Sequence, residues 1–394
     1  MSPTDATAAD IPTDRPRPTP DLTTLPARGQ ARPVHGIDPD DLAACEASIR
    51  TGSFSFHAAS RLLPARYRAP ALALYAFCRL ADDSVDLQDE KTAAVLRLGE
   101  RLDRAYAGRP ENAPEDRAFT AMVESTGLPR ALPEALLEGL AWDAMERRYA
   151  TLSELRAYSA RVASTVGAMM AVIMGVRDRH ALARACDLGV AMQLTNIARD
   201  VGEDARAHRI YLPLDWLEEA RIAEVNFLRD PMPSEAVRDM VKRLLAEARR
   251  LYLRGEAGIS CLPFACRPGI FAARHIYDGI GTEVARAGYD SVSTRARTTA
   301  GQKVGWLVLS GVRAVSSAAM PCPAVLYAAP LQETAFLVDA AARAHGAPAP
   351  WGEGRAGELV ALFAELKARD AARRGALRPG PSRMRGGAAR MAAE

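Results

Sequence analysis

Oxygen-bearing side chains recur one helical turn apart in two stretches of the chain. In residues 187–213, Gln193, Asn196, Asp200 and Asp204 are separated by three, four and four positions. On a helix that spacing stacks them on one face. Leu194, Ile197 and Val201 repeat on an adjacent face, so a mostly apolar helix carries one stripe of amides and carboxylates. Burying a carboxylate is costly unless it is paired or binds a metal. Two oxygen donors four residues apart suit Mg²⁺, which takes a few carboxylates and completes its shell with water and phosphate. Taken alone, the stretch reads equally well as a solvated helix face.

A second stripe changes the balance. Tyr75, Arg79, Asp82 and Asp86 are separated by four, three and four positions, after an apolar run of Leu72, Leu74, Phe77 and Leu80. Two such helices face to face would form a cage of four carboxylates. Like charges that close cannot all stay ionised without cations. Several divalent ions with a diphosphate would balance them. Arg79 and Arg199 fit the same chemistry, because a guanidinium grips phosphate oxygens in a fork.

Asp-Asp-Ser-Val-Asp (82–86) and Asp-Val-Gly-Glu-Asp (200–204), the latter preceded by Gln-Leu-Thr-Asn-Ile-Ala-Arg, resemble the head-to-head prenyl synthases, the squalene and phytoene synthases. The flanks are similar to those of the bacterial phytoene synthases. The resemblance covers residues 45–310. It implies that Asp82, Asp86, Asn196, Asp200 and Asp204 hold metal and that Tyr277 lies near the reacting carbons. It implies diphosphate or substrate binding by Ser53, Ser55, Phe56, Tyr75, Arg79, Gln193, Asn196, Arg199, Arg209, Tyr211 and Arg295. Read as residues alone, Ser53 and Ser55 form an ordinary helix cap, and Tyr211 and Tyr277 are core tyrosines. The chain departs from the family pattern Tyr-x-Tyr-x-Val-Ala-Gly at Ala160 and Ser164. Ala160 is read as making room for a longer substrate.

The elements that must position these residues are helical. The 394-residue chain is 48% hydrophobic, 25% charged and only 6% aromatic. Ala, Leu and Arg dominate and β-branched runs are scarce, so the fold class is all-α. Helices are expected near 40–49, 66–87, 90–107, 114–126, 131–148, 153–176, 187–213, 214–230, 234–255, 268–288, 331–345 and 356–374. Ser153 and Ser234 are expected caps. Trp142, Met145 and Tyr149 read as core, and Asp143 and Glu146 as a solvated face. The segment from Val166 to Val176 is apolar on all sides and must be buried. Its neighbours Ala160, Ala163, Ser164, Gly167 and Ala168 leave volume for an apolar ligand or for close helix packing. Residues 304–312 are apolar but short.

The resemblance implies a single-domain isoprenoid-synthase helical bundle around a central apolar cavity, spanning 37–316. A disordered Pro-rich tail is expected at 1–36, a helical extension at 317–374 and a disordered basic tail at 375–394. The net charge of +3 is too small to argue for nucleic acid. The six cysteines lack metal spacing and read as reduced, in a cytoplasmic protein. Neither a signal peptide nor a spanning helix is expected.

The function implied is condensation of two geranylgeranyl diphosphates, through a cyclopropyl (prephytoene) diphosphate, to 15-cis-phytoene, the first committed step of carotenoid biosynthesis. Mg²⁺ or Mn²⁺ would be needed, several ions with the diphosphate, and NADPH would not. Peripheral membrane contact and contact with other carotenoid enzymes are expected. The alternatives are a C15-using squalene, hydroxysqualene or dehydrosqualene synthase, and a helical relative without activity that serves as an assembly protein.

Overall fold

A computed structural model describes residues 36–52, 60–86 and 91–343, with positions 362, 364, 365 and 368 beyond them. Ser53, Ser55 and Phe56, residues 1–35 of the expected N-terminal tail and the expected tail at 375–394 lie outside the described residues. So do the side chains of Asp82 and Asp86.

The described residues are helical, and no strand forms among them. In chain order the helices are α1 (Pro39–Gly52), α2 (Ala65–Asp86), α3 (Lys91–Tyr106), α4 (Pro114–Thr126), α5 (Ala131–Ala144), α6 (Leu152–Ser159), α7 (Thr165–Ile173) and α8 (Arg179–Arg206). They continue as α9 (Leu214–Glu219), α10 (Glu224–Arg229), α11 (Glu235–Ile259), α12 (Arg267–Arg286), α13 (Ala300–Ala319) and α14 (Ala335–Ala342).

Start and stop chemistry explains most of these bounds. Pro114 opens α4 at a position where its missing N–H costs nothing, and Gly127 closes it in the left-handed region at φ 60°. The Asp178 side chain accepts from Ala181 N at 2.9 Å and starts α8. Ser234 caps α11 by accepting from Val237 N, as expected. Ser153 does not cap α6. Thr151 does, accepting from Glu154 N, while Ser153 Oγ donates to Glu333.

Two further expectations needed tertiary correction. The single helix expected over 153–176 is interrupted by a π-turn at Ala160–Ser164. The helix expected over 214–230 breaks into α9 and α10, with Arg221 at φ 56°. The short apolar run at 304–312 proves to be the middle of the 20-residue α13, which starts at a capping box formed by Thr299 and Gln302.

The core forms two hydrophobic clusters. One gathers α1 to α5, α7, α14 and the start of α8, around Phe77, Phe119, Leu132 and Met169. The other gathers α6, the later part of α8 and α11, around Tyr158, Leu194, Val201 and Tyr252. Helix α8 runs through both. Leu182 and Cys186 serve the first cluster, and Leu194, Ile197 and Val201 the second. Its amide and carboxylate stripe therefore runs alongside the second cluster.

Candidate active site

Helix α8 positions the stripe as its spacing dictates. Its apolar face is buried through Leu194, Ile197, Ala198 and Val201. Each of Leu194, Ile197 and Val201 contributes roughly 1.5–3 kcal/mol relative to exposure, which fixes the rotation of the helix. Gln193, Asn196, Asp200 and Asp204 then line a polar pocket of about 250 Å³ with Arg209 and Tyr211.

The fourth wall of this pocket comes from a residue expected to face solvent. Asp143, near the end of α5, lines it together with Leu140, Tyr158 and Val162. Tyr158 Oη donates to Asp143 Oδ2 at 2.7 Å, and Tyr211 Oη donates to Asp143 Oδ1 at 2.9 Å. The two tyrosine rings stack at 5.3 Å, with Tyr149 alongside at 5.1 and 6.2 Å. Burial beside Asp143 pushes both phenols well above their usual range, so they remain donors. One signal was available in sequence: Leu136 and Leu140 stand seven and three positions before Asp143 and put it on an apolar helix face.

Two of the arginines expected on diphosphate, Arg199 and Arg295, converge on one carboxylate. Arg199 donates to both oxygens of Asp200, at 2.7 and 2.6 Å, and Arg295 donates to the same two at 2.8 and 3.1 Å. Arg295 also pairs with Glu203 at 3.1 Å. Gly202 makes this approach possible. A Cβ there would lie 2.5 Å from the Val292 carbonyl oxygen and 2.6 Å from its Cα. The segment leading to Arg295 therefore rests directly on the helix backbone, with Gly202 N donating to Ser291 O at 2.9 Å.

Among the described residues, no such fork reaches Asp204. Burial, and then the charge of Asp200, push its carboxyl from the ordinary 3.8 up to about 7, against the opposing pull of Arg209. A desolvated carboxyl beside a second one fits a hard divalent cation. Among the described residues, no three acidic, histidine or cysteine side chains close around a single point. Of the expected metal ligands, Asn196, Asp200 and Asp204 are brought together on the wall of the polar pocket. Asp82 and Asp86 end α2 one turn apart, as expected, with only their backbone described.

An apolar cavity of about 320 Å³ adjoins the polar pocket, and Gln193, Asn196 and Val162 line both. The cavity runs between α7, α8 and α12, past Met170, Met174, Leu188, Met192 and Ile276. Tyr75 and Tyr277 line it as well. Burial raises the Tyr277 phenol, against the opposing pull of Arg199. Arg79 lies in the same helix as Tyr75, one turn on. Ala160 does not line the cavity. It is fully buried in the core, because the π-turn directs Val162 and Ala163 inward instead. The room attributed to Ala160 belongs to Ala163, Gly167 and Gly189.

The family model for squalene/phytoene synthase matches residues 49–302. A phytoene synthase from Cereibacter sphaeroides is 59% identical over 340 residues, covering 84% of this chain and 94% of the relative. One from Rhodobacter capsulatus is 57% identical over 334 residues, covering 84% and 97%. The crystal structure of a dehydrosqualene synthase in complex with ligand superposes with a TM-score of 0.65 at 30% identity, over 70% of this chain and 97% of the other. With an acid-lined pocket set against an apolar cavity and a match of this extent, the chain belongs to the squalene/phytoene synthase family.

Proposed function

We propose that this enzyme joins two geranylgeranyl diphosphates head to head, through a cyclopropyl diphosphate, to 15-cis-phytoene. The observation that carries the reading is the junction of two compartments: a pocket of carboxylates, amides and arginine meets a long apolar cavity at Gln193 and Asn196. One end suits a diphosphate and the other a prenyl chain. The choice of a C20 substrate rests on the similarity to relatives named phytoene synthase at 57–59% identity.

Asn196, Asp200 and Asp204, with Asp82 and Asp86 from α2, would hold divalent ions, Mg²⁺ or Mn²⁺. When bound, such ions neutralise the charge on a departing diphosphate. Arg209 lines the pocket, and Arg199 and Arg295 stand at its edge on Asp200. Their forks would turn to phosphate oxygens and add charge-assisted contacts where negative charge develops. Arg79, Ser53, Ser55 and Tyr211 are assigned to the same diphosphates, and Phe56 and Tyr75 to the prenyl chain. The methionines and aliphatic side chains of the cavity keep water from the allyl cation. Tyr277 lines the apolar cavity together with Asn196, which lines both compartments, and is assigned to the reacting carbons.

The reaction ends in loss of a proton, so no hydride donor is required. Its product is a hydrocarbon. The enzyme is therefore placed in the cytoplasm against a membrane, in reach of the carotenoid enzymes that consume the product. No helix among the described residues is long and apolar enough to cross a membrane.

Incubation of the purified protein with Mg²⁺ and all-trans C20 or C15 diphosphate, with and without NADPH, tests the reading by hydrocarbon analysis. A C40 product from the C20 substrate without NADPH is expected. A C30 product from the C15 substrate alone would overturn the substrate assignment, and the absence of any hydrocarbon would overturn the activity.

A further inference from the structure

Helix α13 is anchored on one side and apolar on the other. Its inner face is tied to α12. Trp306 packs where a Cβ on Gly279 would lie 2.2 Å from the ring. His275 Nδ1 and Ser310 Oγ are 2.9 Å apart, and Gln302 donates to Glu283 at 2.7 Å. On the outer face stand Val304, Val308, Val312 and Val315, exposed by 59, 66, 61 and 65%. Their spacing of four, four and three keeps them on one side, along about 16 Å of helix. Leu309, also exposed, widens the stripe. Single exposed apolar residues are ordinary, whereas a contiguous stripe marks a surface that is covered in use.

This stripe leads to the apolar cavity. Arg267 donates through Nε to the Leu262 carbonyl and through Nη1 to Ser317 Oγ, each at 3.1 Å. Leu262 lines the cavity, and Ser317 belongs to the last turn of α13. Phe264, beneath the Arg267 guanidinium, and Met320, just past the helix, are exposed by 52 and 62%. Exposed apolar surface therefore extends from the valine stripe to the segment that bounds one end of the cavity.

We propose that this face docks on an anionic lipid bilayer. The valine stripe enters the boundary between headgroups and acyl chains, and Phe264 and Met320 set the Leu262 end of the cavity against lipid. The charges agree. Helix α13 has no acidic residue and carries Lys303 and Arg313, with Arg267 beside it. Basic groups at the margin of an apolar face suit a negatively charged surface. Arg313 also pairs with Glu256. The composition speaks against a protein partner, since Val and Leu are sparse among residues that dominate protein interfaces and the stripe offers no Tyr or exposed Trp. The inference rests on the proposed function in one respect: a hydrocarbon product has no stable place in water.

The test uses the full chain and flotation with vesicles of phosphatidylcholine and phosphatidylglycerol, across a salt series. Wild type is expected to float with the vesicles, less so as salt rises. Val308→Glu with Val312→Glu is expected to lower partitioning at least about tenfold. Val308→Ser with Val312→Ser guards against misfolding and is expected to lower it less, with an unchanged thermal melt. Turnover of detergent-dispersed substrate should stay within about twofold for both variants, since neither residue lines the cavity. The proposal is overturned if wild type stays in the soluble fraction, or if both variants float as wild type does. It is also overturned if sedimentation shows a wild-type dimer that the variants dissociate while vesicles bind nothing. The detergent assay reports the proposed activity independently, so loss of that reading is distinguishable from loss of the docking surface.

Discussion

Asp204 holds its charge at a cost. Its carboxyl titrates at about 7 against an ordinary 3.8, and at 1.36 kcal/mol per pH unit the difference is about 4 kcal/mol. The folded pKa is raised, so the stabilising contribution is present below the unfolded value and is lost as pH climbs through about 7. In EDTA, Asp204→Asn should therefore raise stability at pH 8.5 by on the order of 2–4 kcal/mol and leave it nearly unchanged below pH 4. Thermal melts at the two pH values decide the matter, and equal shifts at both would contradict this electrostatic account. The same variant should lose most turnover at saturating Mg²⁺. Asp143 is the other residue with a decided chemical setting. It accepts from two phenols, and hydrogen bonds to a charged group are worth about 1.5–3 kcal/mol. We expect Asp143→Asn to lower kcat/KM at least about tenfold, with Tyr158→Phe and Tyr211→Phe each milder. Kinetics matching wild type, with an unchanged melt, would reduce the trio to packing.

At the scale of elements, α8 is both scaffold and site, and Gly202 is where a neighbouring segment rests on it. Gly202→Ala pushes a methyl into the backbone of Val292, and neither partner is a flexible side-chain end. Overpacking of this kind costs about 1–3 kcal/mol. It should also shift Arg295 from Asp200, so KM for the diphosphate should rise more than kcat falls. Calorimetry and steady-state kinetics report the two effects separately, and a wild-type melting temperature would show that the segment yields freely. The π-turn at Ala160–Ser164 has a comparable role. It inserts a residue's worth of rotation between α6 and α7, so Tyr158 faces the polar pocket while Ala163 faces the apolar one.

At the scale of the molecule, the core encloses an apolar cavity of about 320 Å³, and the proposed function has its depth read the length of the prenyl chain. Ala163→Phe fills that space at the level where the polar pocket ends. It should penalise a C20 diphosphate more than a C15 one, because only the longer chain needs the full depth. Competition between the two substrates measures this. Equal losses on both would show that chain length is read elsewhere. Ala160→Phe, at a fully buried site outside the cavity, should instead lower stability through overpacking.

The sequence by itself determined the all-α class, the placement of most helices, and which residues share a face. Helical periodicity is local: a spacing of three or four assigns Gln193, Asn196, Asp200 and Asp204 to one stripe whatever surrounds them. Apolar content assigned the burial of 166–176 for the same reason. Which helix lies opposite was decided only in three dimensions. Tyr211 meets Asp143 across 68 residues and Arg295 meets Asp200 across 95, and no local spacing encodes either meeting. Burial decided the chemistry too. It raised Asp204 and kept the phenols of Tyr158 and Tyr211 protonated, because the free energy of a charge depends on the solvent and charges around it, not on its neighbours along the chain.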